Sequence, residues 1–204
     1  MTKNEVKNTN LLVLIAALGY FVDIYDLVLF SVERIDSLKE ILGASASKDE
    51  IKNKMSKIRI TKQFGFETGH ALYGYDGKCK NVHGHSYKLS VTVIGSPITD
   101  RDNVKFGMVI DFTDLKKIVK EEIVDQFDHA TVFNKNTPHI ELAKELQSRD
   151  HHVILVDYQP TSENMVVDFS KRISRRLPEN IGLFSLKLQE TESSFAEWFA
   201  SDNC

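Results

Sequence analysis

GKCKNVHGHSYKLSVTV, residues 77–93, decides the fold and holds most of the chemistry. Tyr87, Leu89, Val91 and Val93 alternate with Lys88, Ser90 and Thr92, the period of a half-buried strand. Followed backward at the same parity, His85 and His83 fall on the apolar side, with Gly84 between them keeping the backbone uncrowded. Two imidazoles two residues apart on a strand share a face and can converge on one ion. Burying them without partners is costly, and a metal supplies partners.

Upstream, Ile58 and Ile60 alternate with polar residues and lead to Phe64 and Phe66, a second strand that can pair alongside. His70 follows it and offers a third ligand. Three neutral imidazoles leave one tetrahedral position open, the pattern of catalytic zinc. The bland alternative is three surface or hydrogen-bonded histidines.

Downstream, Leu115, Ile118, Val119, Ile123 and Phe127 recur at helical spacing, with Thr113 available as N-cap. Thr137-Pro138 opens a short helix through Leu146, and 153–156 reads as a short strand or extended insert. A second long helix after Thr161 carries Met165, Val166, Phe169, Ile173 and Leu177 on one face and ends near Pro178. Phe184, Leu186 and Leu188 alternate through a last strand. Strands, then helices, then a strand predict an α+β sandwich with helices on one face of an antiparallel sheet.

Other reactive groups stand around this frame. Cys79 lies between Lys78 and Lys80, four residues before His83; nearby cations and a metal favour the thiolate, which acts as base or nucleophile. It can equally be inert, or a fourth ligand that closes the site. Asp128-His129 follows the first long helix, where an acid can orient a histidine for proton transfer, although adjacent pairs are usually accidental. Glu190 shares parity with Phe184, Leu186 and Leu188, placing a carboxylate at the end of an apolar face, where the planar N–H groups of a guanidine-like heterocycle would satisfy it. Thr161, Ser162 and Glu163 either open a helix or meet a ligand.

The 204 residues allow one domain and an extension, and a net charge of −3 gives no general reason to expect nucleic-acid binding. Two cysteines, one at the C-terminus, make no disulfide framework; a reducing, cytoplasmic setting is expected. Residues 11–30 are apolar over roughly a membrane-spanning length, but Asp23 and Asp26 interrupt them. Two acids at roughly +3 kcal/mol each offset most of what apolar residues gain at roughly 0.5 each, so insertion of a lone helix is marginal. The stretch 14–43, LIAALGYFVDIYDLVLFSVERIDSLKEILG, resembles the first transmembrane helix and following loop of major facilitator superfamily transporters. No second long apolar run follows. Residues 1–54 are therefore expected to be an apolar helical extension, either a tether or a transporter-like remnant, and 55–204 the enzyme domain, with Met55 a natural start.

Taken together, FETGH (66–70), GKCKNVHGHSY (77–87), GMVIDFTDLK (107–116), DHA (128–130), PTSEN (160–164) and QETESS (189–194) resemble the 6-pyruvoyltetrahydropterin synthase / 6-carboxytetrahydropterin synthase family, from Ser56 to the C-terminus. The resemblance implies the tunnelling fold, a four-stranded antiparallel sheet with two long helices on one face, assembled as a hexamer of two stacked trimers with active sites between subunits. It implies that His70, His83 and His85 bind Zn2+, that Cys79 abstracts a proton, and that His129, oriented by Asp128, shares the proton transfers at a neighbour's site. Glu190 would anchor a pterin ring, helped by Thr161, Ser162 and Glu163. The implied substrate is 7,8-dihydroneopterin triphosphate. The bacterial branch gives 6-carboxy-5,6,7,8-tetrahydropterin with release of acetaldehyde, for queuosine and related deazapurines; the alternative is the 6-pyruvoyl product of biopterin synthesis. Cys79 argues against the branch that carries glutamate there and feeds folate synthesis. Outside the resemblance stand two other classes: a non-catalytic zinc-binding module, and a membrane-tethered interaction protein. The stretch 139–158 is longer than the shortest members need.

Overall fold

Alternation builds the centre of the sheet. β1 (Ile58–His70) and β2 (His83–Gly95) run antiparallel in unbroken register, from Ile58 opposite Gly95 to His70 opposite His83. Tyr87, Leu89, Val91 and Val93 are buried on one face, as their spacing predicts. On the other face a polar ladder crosses the strands: the Thr61 and Thr92 hydroxyls meet at 2.8 Å, and Gln63 Nε2 donates to Ser90 Oγ at 3.2 Å. This computed structural model describes residues 56–203; the expected apolar N-terminal helix, the transporter-like stretch and the boundary at residues 54/55 lie outside the described residues.

The first long helix begins as α1 (Phe112–Val119), passes through a π-helical turn (Lys120–Val124) and ends as α2 (Asp125–Phe127). Its N-cap is Asp111, not Thr113: Asp111 is extended at φ −67°, ψ 131°, and its carboxylate accepts from Thr113 N at 2.7 Å. β3 (Ala130–Asn134), α3 (His139–Gln147) and β4 (Val153–Val156) follow. They add a small satellite cluster in which Ala71, Phe133 and Ala143 are buried together.

The second long helix, α4 (Ser162–Ser174), is capped by Thr161 and buries Met165, Val166, Phe169 and Ile173. It stops short of Pro178, because Arg176 N and Leu177 N both turn back onto Ile173 O. Both long helices contribute to one core with the inner face of β1 and β2. The Phe127 and Phe169 rings meet edge-on at 4.8 Å, and Phe66 packs edge-on against both, at 6.5 and 6.2 Å.

β5 (Gly182–Gln189) and β6 (Phe195–Phe199) complete the sheet. The expected four-stranded antiparallel sheet is in fact six-stranded and mixed, in the order β4-β3-β1-β2-β5-β6, with β3 parallel to β1 and β4 parallel to β3. The two strands not read from the sequence, β3 and β6, are each five residues long, and β3 buries Ala130, Val132 and Phe133 from both sides, so no two-residue period marks it. The parity expected along β5 also breaks. A bulge carries the register from Thr92 opposite Ser185 to Val93 opposite Leu183, so that Leu183 rather than Phe184 joins the core. Phe184 instead lies under the Arg59 guanidinium, 3.9 Å from the ring centroid. Beyond the bulge, Leu186 and Leu188 keep their parity, and Glu190 with them.

Candidate metal centre and ligand pocket

The end of the β1–β2 pair gathers the three histidines. His70 is the last residue of β1 and faces His83 directly, while His85 is opposite Thr68, two residues along on the same face. Gly84 permits the close approach: a Cβ there would lie 3.3 Å from Thr68 O.

The outer nitrogens of the rings fix their tautomers. His70 Nδ1 is 2.6 Å from Pro160 O, and His83 Nδ1 is 2.8 Å from Asn81 O, so in each neutral ring Nδ1 carries the proton and Nε2 a lone pair. Those two Nε2 atoms are 3.1 Å apart. His85 Nε2 is buried and has no hydrogen-bond partner among the described residues. One ligand atom from each ring lies within 4.8 Å of the others. Zinc–nitrogen bonds of about 2.0–2.1 Å in tetrahedral geometry separate ligand atoms by about 3.3–3.4 Å. Three lone pairs converging at this spacing, with main-chain carbonyls behind two of them, fit a divalent metal that prefers nitrogen ligands. Burial holds the pKa values of His70 and His85 below the usual 6.5, which keeps both in the ligating form.

Glu190 lies where this cluster meets solvent. Its Oε1 is 3.6 Å from the Nε2 atoms of both His70 and His85, and it accepts a 3.0 Å hydrogen bond from the Tyr87 hydroxyl. Tyr87 is buried, and burial followed by the Glu190 charge drives its pKa strongly upward, so the phenol stays a donor. Thr161 caps α4 by accepting from Asn164 N, and Ser162, the next residue, is buried with its hydroxyl beside that of Tyr87. Glu163 is exposed.

Cys79 is a half-buried free thiol in the 3-10 turn Lys78–Lys80, tied back by Leu72 N donating to Cys79 O at 2.9 Å. It is near enough to Tyr87 for a thiolate to oppose ionisation of the phenol. Asp128 and His129 form a pair, with 3.1 Å between Oδ1 and Nδ1. A hydrogen bond from Glu67 N to Asp128, and then His129 itself, hold the Asp128 pKa low. His129 has φ 59° and its side chain is 79% exposed. With Glu67, Gly69, His85 and Thr131 it lines an open cleft of about 350 Å³.

The structure thus brings His70, His83, His85, Glu190 and Ser162 together, with Cys79 in the adjoining loop, and leaves Glu163 in solvent. Sequence reasoning missed the Tyr87 hydroxyl, read only as part of an apolar layer, and the Pro160 and Asn81 carbonyls, which carry no side-chain signal. Among the described residues, no helix is long and apolar enough to cross a membrane.

Residues 59–200 match the family model described as 6-pyruvoyl tetrahydropterin synthase. The chain is 38% identical over 142 residues to a 6-carboxy-5,6,7,8-tetrahydropterin synthase of Haemophilus influenzae, covering 69% of this chain and 98% of that one. A protein of the same name from Rickettsia typhi is 32% identical, with 69% and 99% covered. Among solved structures, an uncharacterized protein from Wolinella succinogenes superposes with TM-score 0.59 at 19% identity over 71% of this chain and 99% of that one. The 6-pyruvoyl tetrahydropterin synthase of Caenorhabditis elegans gives 0.51 at 22%, over 72% and 98%. The match to the family model, together with relatives aligned over nearly their whole length, shows that this chain belongs to the 6-pyruvoyl tetrahydropterin synthase family.

Proposed function

We propose that the chain is a zinc-dependent carbon–carbon lyase that converts 7,8-dihydroneopterin triphosphate and water to 6-carboxy-5,6,7,8-tetrahydropterin, acetaldehyde and triphosphate, a product that feeds queuosine and related deazapurines. The observation that carries this reading is the convergence of three histidine lone pairs beside Cys79 and Glu190 in a chain whose relatives bear that name. Zinc held by His70, His83 and His85 supplies Lewis acidity to the oxygen functions of the substrate side chain.

The protein's own groups divide the remaining work. Glu190 accepts the planar N–H groups of the pterin ring, with Thr161 and Ser162 at the start of α4 and Glu163 on its exposed side bordering the ring. Cys79, as thiolate, takes a proton from the side chain. His129, oriented by Asp128, returns a proton as triphosphate leaves. The 79% exposure of the His129 side chain leaves it open to a second copy of the chain, which supports a hexamer in which Asp128 and His129 complete the site of an adjacent subunit. The catalytic domain runs from residue 55 to 204, and residues 1–54 stand outside its chemistry.

Product identification tests the reading. The purified protein, given dihydroneopterin triphosphate, should release acetaldehyde in equal amount with a pterin bearing the mass of the 6-carboxy product. A 6-pyruvoyl product without acetaldehyde would replace this function with the other branch of the family.

A further inference from the structure

Tyr87 does two separable jobs at the site. Its ring stacks on Phe66, with 5.5 Å between centroids and 20° between planes, and it meets the His70 and His85 rings edge-on at 6.3 and 5.6 Å. A phenylalanine would make every one of those contacts. Only the hydroxyl, in a residue 1% exposed and next in parity to Leu89, Val91 and Val93, needs a polar partner. It donates to Glu190 Oε1 at 3.0 Å, with the Ser162 hydroxyl as its other polar neighbour.

Glu190 needs this restraint. It stands just past the last residue of β5, where its main chain is held by a hydrogen bond from Glu190 N to Ser194 O at 3.0 Å. Its side chain is 25% exposed, and Oε1 is within 3.6 Å of two Nε2 atoms that face the metal position. A carboxylate so placed has two competing destinations: a cation held by the histidines, and the N–H groups of an incoming ring. The Tyr87 hydroxyl holds one oxygen and leaves the other to accept.

We infer that Tyr87 is a positioning residue that acts through Glu190, its hydroxyl fixing the carboxylate as a ring acceptor instead of letting it turn onto the metal. This rests on the pterin and zinc reading of the site given above.

The experiment compares zinc-loaded wild type, Y87F, E190A and the double variant Y87F/E190A. The probe is 2-amino-4-oxopteridine, a pterin ring without the side chain, titrated by its fluorescence. The expected result is that Y87F keeps its zinc stoichiometry and melting temperature, binds the probe about tenfold more weakly, and shows a larger rise in KM than fall in kcat. Adding Y87F to E190A should change probe affinity less than about twofold, because the residue through which Tyr87 acts is gone. The cobalt-substituted Y87F protein should also show an altered visible spectrum as the carboxylate turns to the metal. Unchanged probe binding in Y87F, or an equal loss in the E190A background, would overturn this inference alone. Wild-type protein that binds zinc and no pterin ring would overturn the functional reading, and this inference with it.

Discussion

His70 Nε2 lies 3.1 Å from His83 Nε2, and the other nitrogen of each ring faces a main-chain carbonyl. Two lone pairs at that distance repel unless a cation or a proton lies between them. With burial disfavouring the charged form of His70, a metal relieves the contact best. Chelation should therefore destabilise the protein. Zinc at about a thousand times its Kd adds about 4 kcal/mol, or about 10 °C in Tm for a domain of this size. Thermal melting with and without chelator, alongside metal analysis showing one zinc per chain, checks this; equal melting temperatures would speak against a bound metal.

The metal-free protein should lose stability as the pH falls below 6.5. Folded His70 and His85 have pKa values lowered by burial, so in the window from 6.5 down to those lowered values the unfolded chain binds more protons. Stability is full above 6.5 and declines through the window. Asp111 and Asp128, whose lowered pKa values act only below the ordinary 3.8, lie outside it. Denaturation midpoints of metal-free protein at pH 7.5 and 5.5 measure the effect, and a flat profile would contradict it.

Phe169→Ala should cost about 3–5 kcal/mol, because the ring is fully buried between Phe66 and Phe127 and its loss leaves a cavity between helix and sheet. Urea denaturation with an unchanged slope would show the loss as stability alone. A loss below about 1 kcal/mol would mean that the three-ring cluster is not the centre of the core.

Much of this architecture is legible in single residues. Tyr87 to Val93 announce their strand because one face is apolar and the other wet, and the same parity carries His83 and His85 inward. Glu190 ends on the predicted face only because the bulge at Ser185/Leu183 lies upstream of Leu186. The short strands stayed hidden for opposite reasons. β3 is covered on both sides and shows no alternation, while β6 has Phe195, Ala196 and Trp198 at least partly in solvent. Main-chain acceptors such as Pro160 O are set by where α4 begins in space, which residue identity does not encode.

Cys79→Ala should separate metal binding from catalysis. Cys79 is in the turn beside the three histidines and is not one of the converging ligand atoms. The variant is expected to keep its zinc and melting temperature while turnover falls by about 10²-fold or more, the usual scale for a lost proton-transfer group. Zinc lost together with activity would instead make the sulfur a fourth ligand.

His129 offers a test of which subunit supplies the proton-transfer pair. Its φ of 59° suits asparagine nearly as well as histidine, so His129→Asn should fold normally while removing the imidazole. This variant and Cys79→Ala should each be almost inactive alone. If the two residues belong to one subunit's site, co-expressing the variants with separate affinity tags and isolating mixed oligomers restores nothing, because no chain carries both. If His129 serves an adjacent subunit, equal random mixing gives about one quarter of sites an intact cysteine from one chain and an intact histidine from the other, with that share of wild-type turnover. The exposed position of the imidazole, 79% open while Asp128 holds its inner nitrogen, favours the second outcome. Inactive mixed oligomers that retain zinc would return the pair to its own subunit and require His129 to reach the histidine cluster past the C-terminal end of β1.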